Sequence, residues 1–249
     1  MTEQNFIFLI IALFSAIVSG STGLGGGVIQ LVLLANLFPL HHVIALHAVI
    51  QVISNFTRVI TFFQHINWHI FWKFNLLSIP FAYLGAMCIE WFNEHYLQIL
   101  VAFMILYTVV GKQQFRHMIS SCQHDTGLFI VVGTVASFIS MIIGVVGPLI
   151  TPFFLASHMQ QIVFVASKSA CQFALQMIKF VIFLKVLFFP YSTYKYDIFY
   201  STLGIIIGTW GAKKILQHID VDLIQKVTQF ILVVLALKIF YQGIYGILV

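Results

Sequence analysis

Apolar runs long enough to cross a bilayer follow one another along the whole chain, and this limits its possible folds more than any other feature. A transmembrane helix needs about 20 mainly apolar residues. Such stretches lie near residues 6–38, 43–63, 70–90, 96–111, 127–157, 164–189, 196–212 and 225–246, with only short polar segments between them. Charged residues make up 8% of the chain, against about a quarter in a soluble domain. The expected fold is therefore an all-α polytopic membrane protein of about eight hydrophobic segments. The N-terminus, whose one charge is Glu3, lacks the basic region of a cleavable signal.

The chain also repeats itself at an offset of 121 residues. "GLGGGVIQ" from Gly23 lies over "GVVGPLIT" from Gly144, pairing Gly23 with Gly144 and Gly26 with Gly147. Without a gap, His47 falls on Lys168, Gln51 on Gln172, Asn55 on Gln176 and Arg58 on Lys179. Weak internal symmetry of this kind marks transporter folds built from duplicated halves. It divides the chain into a first repeat at 1–112, a basic connecting loop at 113–126 and a second repeat at 127–249, each repeat with four hydrophobic segments.

The first segment of each repeat has an awkward length. As straight helices, 6–38 and 127–157 would run about 45–50 Å, against a hydrocarbon core of about 30 Å. Each carries glycines near its middle, where glycine costs about 1 kcal/mol per residue relative to alanine in a helix. The economical reading is two half-helices joined at a Gly-rich break, that is, a broken helix or a re-entrant hairpin. Backbone freed at membrane depth must face protein or a water-filled cavity. Basic residues follow the second, fourth and seventh segments (Lys73; Lys112 and Arg116; Lys213, Lys214 and Lys226). All three loops can share the cytoplasmic side only if 127–157 returns to the side it left. If 6–38 does the same, the repeats are inverted. Eight full spans are the alternative, with one basic loop out of place.

The helices after the glycine breaks carry a polar stripe. His47, Gln51, Asn55 and Arg58 are spaced 4, 4 and 3, and so lie on one helical face. Lys168, Gln172, Gln176 and Lys179 repeat the spacing. A charge at the bilayer centre costs about 3 kcal/mol or more and should face the bundle interior. No Asp or Glu occurs in 43–63 or 127–190 to pair with these cations. Snorkelling by Arg58 and Lys179, and amide bonds between helices, are the structural alternatives. His47, with an ordinary pKa near ~6.5, is a candidate proton-titrating group. Lys238, inside the last segment, either lines the same cavity or snorkels.

Other chemistry finds little support. Gly23 and Gly27 make a G-x-x-x-G packing pair, which explains two glycines but not four. No strand precedes them, so a dinucleotide site is excluded. Three cysteines (Cys88, Cys122, Cys171) give neither a disulfide framework nor a metal motif, and His41, His42, His65 and His69 lie at segment ends. No cofactor, metal or catalytic residue is expected. The net charge of +5 is spread over loops and helices, so nucleic acid is not an expected partner. A Gly-rich break exposes helix N-termini whose free N–H groups attract anions. With two basic stripes beside two such breaks, the expected ligand is a small anion.

The stretch "STGLGGGVIQLVLLANLFPLHHVIALHAVIQVISNFTRV", then "INW" at 66–68 and "GVVGPLITPFFL" at 144–155, resembles the sulfite exporter TauE/SafE-type permeases. The resemblance implies a multi-pass transporter of the inner (plasma) membrane, mainly bacterial, for sulfite, sulfonates or related anions. It also implies that the duplicated glycine segments, here Gly23, Gly25, Gly26, Gly27, Gly144, Gly147 and Pro148, surround the substrate path. The chain departs from the family pattern in two places. The first half lacks the proline that usually follows its glycines, kept in the second as Pro152, and the second half reads Gly-Val-Val-Gly instead of a full cluster.

The resulting expectation is a secondary-active transporter of a small sulfur oxyanion or organic acid, working by alternating access. Arg58, Lys168 and Lys179 would attract the substrate, and Gln51, Asn55, Gln172 and Gln176 would hydrogen-bond it. The lipid bilayer and the anion are its expected partners, and a homodimer is an assembly it allows. The alternatives are a non-transporting assembly or sensor subunit that uses its glycines for helix packing, and an intramembrane enzyme. The enzyme is disfavoured because neither Gly-x-Ser-x-Gly nor His-Glu-x-x-His occurs.

Overall fold

A computed structural model describes residues 3–22, 26–89, 91–110, 127–157, 159–215 and 221–248. Among them the fold is all helical. The eleven α-helices are α1 (Glu3–Thr22), α2 (Gly26–Ala35), α3 (Leu40–Thr61), α4 (Trp68–Asn75), α5 (Ser78–Ile89), α6 (Glu94–Val110), α7 (Leu128–Ile143), α8 (Gly147–Ala156), α9 (Gln161–Lys185), α10 (Lys195–Ile215) and α11 (Val221–Leu248). The connecting loop expected at 113–126 lies outside the described residues.

Eight expected segments become eleven helices because three of them break. Two breaks are the glycine runs. At the second, Gly144 adopts φ +89°, which L side chains rarely adopt, and α8 restarts at Gly147 with Pro148 in its first turn. At both, the chain doubles back. Gly26 sits against Ser15 and Ser19 of α1, and the rings of Phe8 and Phe38 close that hairpin at 5.1 Å. Phe129 and Phe154 close the second at 5.0 Å, although 25 residues of straight helix would hold them about 37 Å apart. The third break was not expected: segment 70–90 is α4 and α5, bent by 40°. Pro80 supplies the cause, because its ring would clash with the carbonyl of Leu76 in a continuous helix.

By length and composition, two described helices can cross a membrane, Leu40–Thr61 and Gln229–Leu248, and α4 with α5 makes a third span if counted as one. Several others, Gly26–Ala35 and Leu128–Ile143 among them, are apolar but shorter. The outer surface is what such a chain needs in lipid. Large apolar side chains such as Phe230, Ile79 and Leu76 are exposed, and so are all four tryptophans. A water-soluble monomer rarely shows so much apolar surface.

The four most extensive helix packings each join a helix before residue 111 to one after residue 127. α1 runs parallel to α10, with Gly204 against Leu9 and Ala12 and Gly208 against Ala16. Gln4 and Asn5 lock this pair by donating to the Asp197 carboxylate at 3.0 and 2.9 Å. α7 runs parallel to α4 and α5 in the same manner, with Gly133 on the Phe74 carbonyl and Gly85 on that of Phe138. α6 and α11 pair antiparallel through Gly243, Gly246 and His95. Small residues let the backbones approach closely where no hydrophobic force drives helices together in lipid.

These contacts yield a test of the packing. A Cβ on Gly133 would lie 1.8 Å from the Phe74 carbonyl oxygen, which is backbone and cannot rotate away. Gly133→Val is therefore expected to destabilise the detergent-solubilised protein by about 3 kcal/mol or more in thermal unfolding. Gly211→Ala is the control. Nothing lies within 4 Å of its Cβ position, so no loss is expected.

Candidate functional site

The centre of the molecule is the antiparallel crossing of α3 and α9. Phe56 stacks on Phe173 at 5.6 Å, Val59 and Phe62 pack on Ala166 and Ala170, and the Tyr191 hydroxyl donates to the Ala45 carbonyl at 3.1 Å. At the other end the Asn67 N–H donates to Ser167 Oγ at 2.8 Å. The loop after each helix thus reaches across to the early turns of the other.

That register brings the two polar stripes face to face as a ladder. It sets Lys179 level with His47 at one end and Arg58 level with Lys168 at the other. Between them the same register sets Gln176 level with Gln51, and Gln172 level with Asn55. Lys179 is 0% exposed, His47 1% and Lys168 7%, while Arg58 is half-buried. Among the described residues no carboxylate pairs with any of these basic side chains.

The glycine breaks supply neutral acceptors. His47 Nε2 donates to the Gly27 carbonyl at 2.9 Å, and Lys179 Nζ to the Gly144 carbonyl at 2.7 Å. Arg58 Nη2 donates to Ser19 Oγ, beside the first break, and to Ser54 Oγ at 3.4 Å, while its Nη1 reaches Asn55 Oδ1 at 3.3 Å. Asn55 in turn donates to the Gln51 carbonyl at 2.9 Å. Lys168 differs. Among the described residues no oxygen accepts from its ammonium, which lies 5.6 Å from the Phe164 ring centre.

Glycine brings the hairpins close to the stripes. Gly27 has the Gln51 amide 3.3 Å from its Cβ position, and Gly147 has Gln172 Nε2 at 2.8 Å. Gly26 faces α1 instead and seats the hairpin. Pro148 is turned to an apolar gap with Val28, Leu31 and Val101, away from the ladder. Gly23 and Gly25 lie outside the described residues. Lys238 stands on the exposed face of α11, so it does not line the ladder.

The structure adds residues that the stripes did not include. Gln30 of α2 accepts from Gln51 Nε2 at 2.8 Å, and its own Nε2 is unpaired among the described residues. The Gln176 Oε1 is also unpaired. Ser15, Ser19, Gln30, Gln51 and Ser54 surround a cavity of about 10 Å³, room for about one water. A signal for two of them was present, since Gln30 and Ser19 fall on Thr151 and Ser140 at the repeat offset. The arrangement offers basic side chains and amides whose chemistry suits an anion, and the cavity beside them is too small for one in this conformation.

Comparison with curated proteins yields no match, and comparison with solved structures yields none either. A match to the family described as sulfite exporter TauE/SafE extends over residues 8–239, which takes in both hairpins and every rung of the ladder. The chain belongs to the TauE/SafE sulfite exporter family of membrane transporters.

Proposed function

We propose that the protein is a secondary-active transporter of a small sulfur oxyanion, such as sulfite or a sulfonate, and that the α3–α9 ladder is its substrate path. The observation that carries this reading is four basic side chains set along one buried crossing without a carboxylate among the described residues. A buried charge left unpaired costs several kcal/mol, so an anionic ligand is the natural counter-charge. Membership in an exporter family supports the same class of substrate. Gln51, Asn55, Gln172 and Gln176 then donate amide hydrogens to the oxyanion. Gly27 and Gly147 let the hairpin backbones approach it, and His47 is the proton-titrating member. Gly23 and Gly25 belong to the same proposal.

Alternating access between two inverted halves is the mechanism we favour. The contacts come in exchangeable pairs, with α1 on α10 matched by α7 on α4 and α5. The self-paired helices α3–α9 and α6–α11 are antiparallel, as inversion demands. Closure of the centre agrees with an occluded step of such a cycle. The bilayer is that of a bacterial inner membrane, and the basic loops face the cytoplasm.

The test is flux of labelled sulfite, sulfonates and thiosulfate in proteoliposomes. Arg58→Gln keeps a polar side chain but removes the charge, and a charge-assisted hydrogen bond contributes about 1.5–3 kcal/mol. The expected result is at least a tenfold loss of flux for the transported anion. Wild-type flux in Arg58→Gln overturns the assignment of that residue.

A further inference from the structure

The four basic side chains of the ladder are not one cluster. The antiparallel register sets them in two pairs, His47 level with Lys179 and Arg58 level with Lys168, each with one member from α3 and one from α9. Eleven residues separate His47 from Arg58, and the same number separates Lys168 from Lys179. At 1.5 Å per residue this is about 16 Å along the axis, roughly half the thickness of a hydrocarbon core. A small oxyanion cannot bridge such a distance. Between the pairs stand the amides of Gln51, Asn55, Gln172 and Gln176, and two amide atoms of the site, Gln30 Nε2 and Gln176 Oε1, are unpaired among the described residues.

We infer that the path holds two separate anion stations, one at each pair, and that each is loaded from a different side of the membrane. Resting on the transport reading above, this deepens it by assigning residues to sides. α3 is long and apolar enough to cross the membrane, and its two basic residues lie on opposite sides of the ladder's centre. The pair His47–Lys179 is served by the carbonyls of Gly27 and Gly144, one from each hairpin. The pair Arg58–Lys168 is served by Ser19 and Ser54 hydroxyls, and the Lys168 side chain, buried as a whole, has no acceptor for its ammonium among the described residues. The repeat offset exchanges the two pairs, because His47 falls on Lys168 and Arg58 on Lys179. They differ chemically, however, with an imidazole and a lysine at one station and a guanidinium and a lysine at the other. The anion passes between them along the amides, where no fixed charge holds it.

The experiment measures the concentration dependence of labelled sulfite uptake in right-side-out and in inside-out membrane vesicles. Lys168→Gln is expected to raise KM about tenfold on one side and less than about twofold on the other. Lys179→Gln should show the reverse pattern of sides. Lys168→Arg, which keeps the charge, should restore the affected side and shows that loss of fold is not the cause. If both glutamine variants raise KM equally on both sides, the stations are one and the inference is overturned. If wild-type protein moves no sulfite, the transport reading fails, and equilibrium binding of labelled sulfite to the solubilised protein decides the stations. Two sites, each weakened by only one of the substitutions, support the inference. A single site lost in both variants, or no saturable site, overturns it.

Discussion

Lys179→Gln is expected to lower sulfite flux by about 10- to 100-fold while leaving the folded protein as stable as before, or more so. Lys179 is fully buried, and its ammonium donates to the Gly144 carbonyl at 2.7 Å with no carboxylate beside it among the described residues. A hydrogen bond from a charged group is worth about 1.5–3 kcal/mol, and charge acts more strongly in a low dielectric than in water. Loss of that attraction for an anion sets the lower flux. The stability argument runs the other way. Burying a charge is costly, and removing it from an uncompensated place is often neutral or favourable. Flux in proteoliposomes and the unfolding midpoint in detergent are measured on the same preparation. A residue that merely holds the fold would lower both together, and that outcome would remove Lys179 from the substrate path.

Gly144→Ala is expected to lower stability by about 3 kcal/mol or more, as much as Gly133→Val, although it adds only a methyl group. Gly144 has φ +89°, and a Cβ there would lie 2.5 Å from Leu31 Cδ1 and 3.0 Å from Ile44 Cγ1. Both neighbours are fully buried and cannot withdraw. Backbone strain of this kind costs about 1–3 kcal/mol, and overpacking adds about 1–3 kcal/mol. At roughly 2–4 °C per kcal/mol for a chain of this size, the midpoint should fall by about 10 °C. Flux should fall too, because the same peptide presents the carbonyl that receives Lys179. Gly147→Ala gives a useful contrast. The atom in its way is Gln172 Nε2, the far end of a flexible side chain, which can shift. Gly147→Ala should therefore melt close to wild type. Equal midpoints for Gly144→Ala and wild type would mean that the break tolerates a side chain.

Local features of the sequence carried much of this. The length of each apolar run, the cost of glycine in a helix and the 4-4-3 spacing of polar residues are properties of a few consecutive turns. They identified membrane helices, two breaks and the faces that bear His47 to Arg58 and Lys168 to Lys179. The third break was also written in the sequence at Pro80, but within an apolar run a single proline reads as a tolerated kink. Gln30 and Ser19 were legible only as weak matches at the repeat offset.

Contacts between residues far apart in the chain were a different matter. Periodicity says which face of a helix is polar but not which helix meets it, nor in which direction or register. Only the tertiary structure decided that α3 and α9 cross antiparallel, so that His47 meets Lys179 and Arg58 meets Lys168 in place of their repeat partners. It turned Pro148 to an apolar gap and Lys238 to the outer surface. The sequence by itself determined that this chain lies in lipid, breaks its helices at glycines and buries cations, because each follows from the free energy of a short segment in its solvent. How those cations are grouped depends on the packing of helices more than 100 residues apart, and no local free energy specifies that.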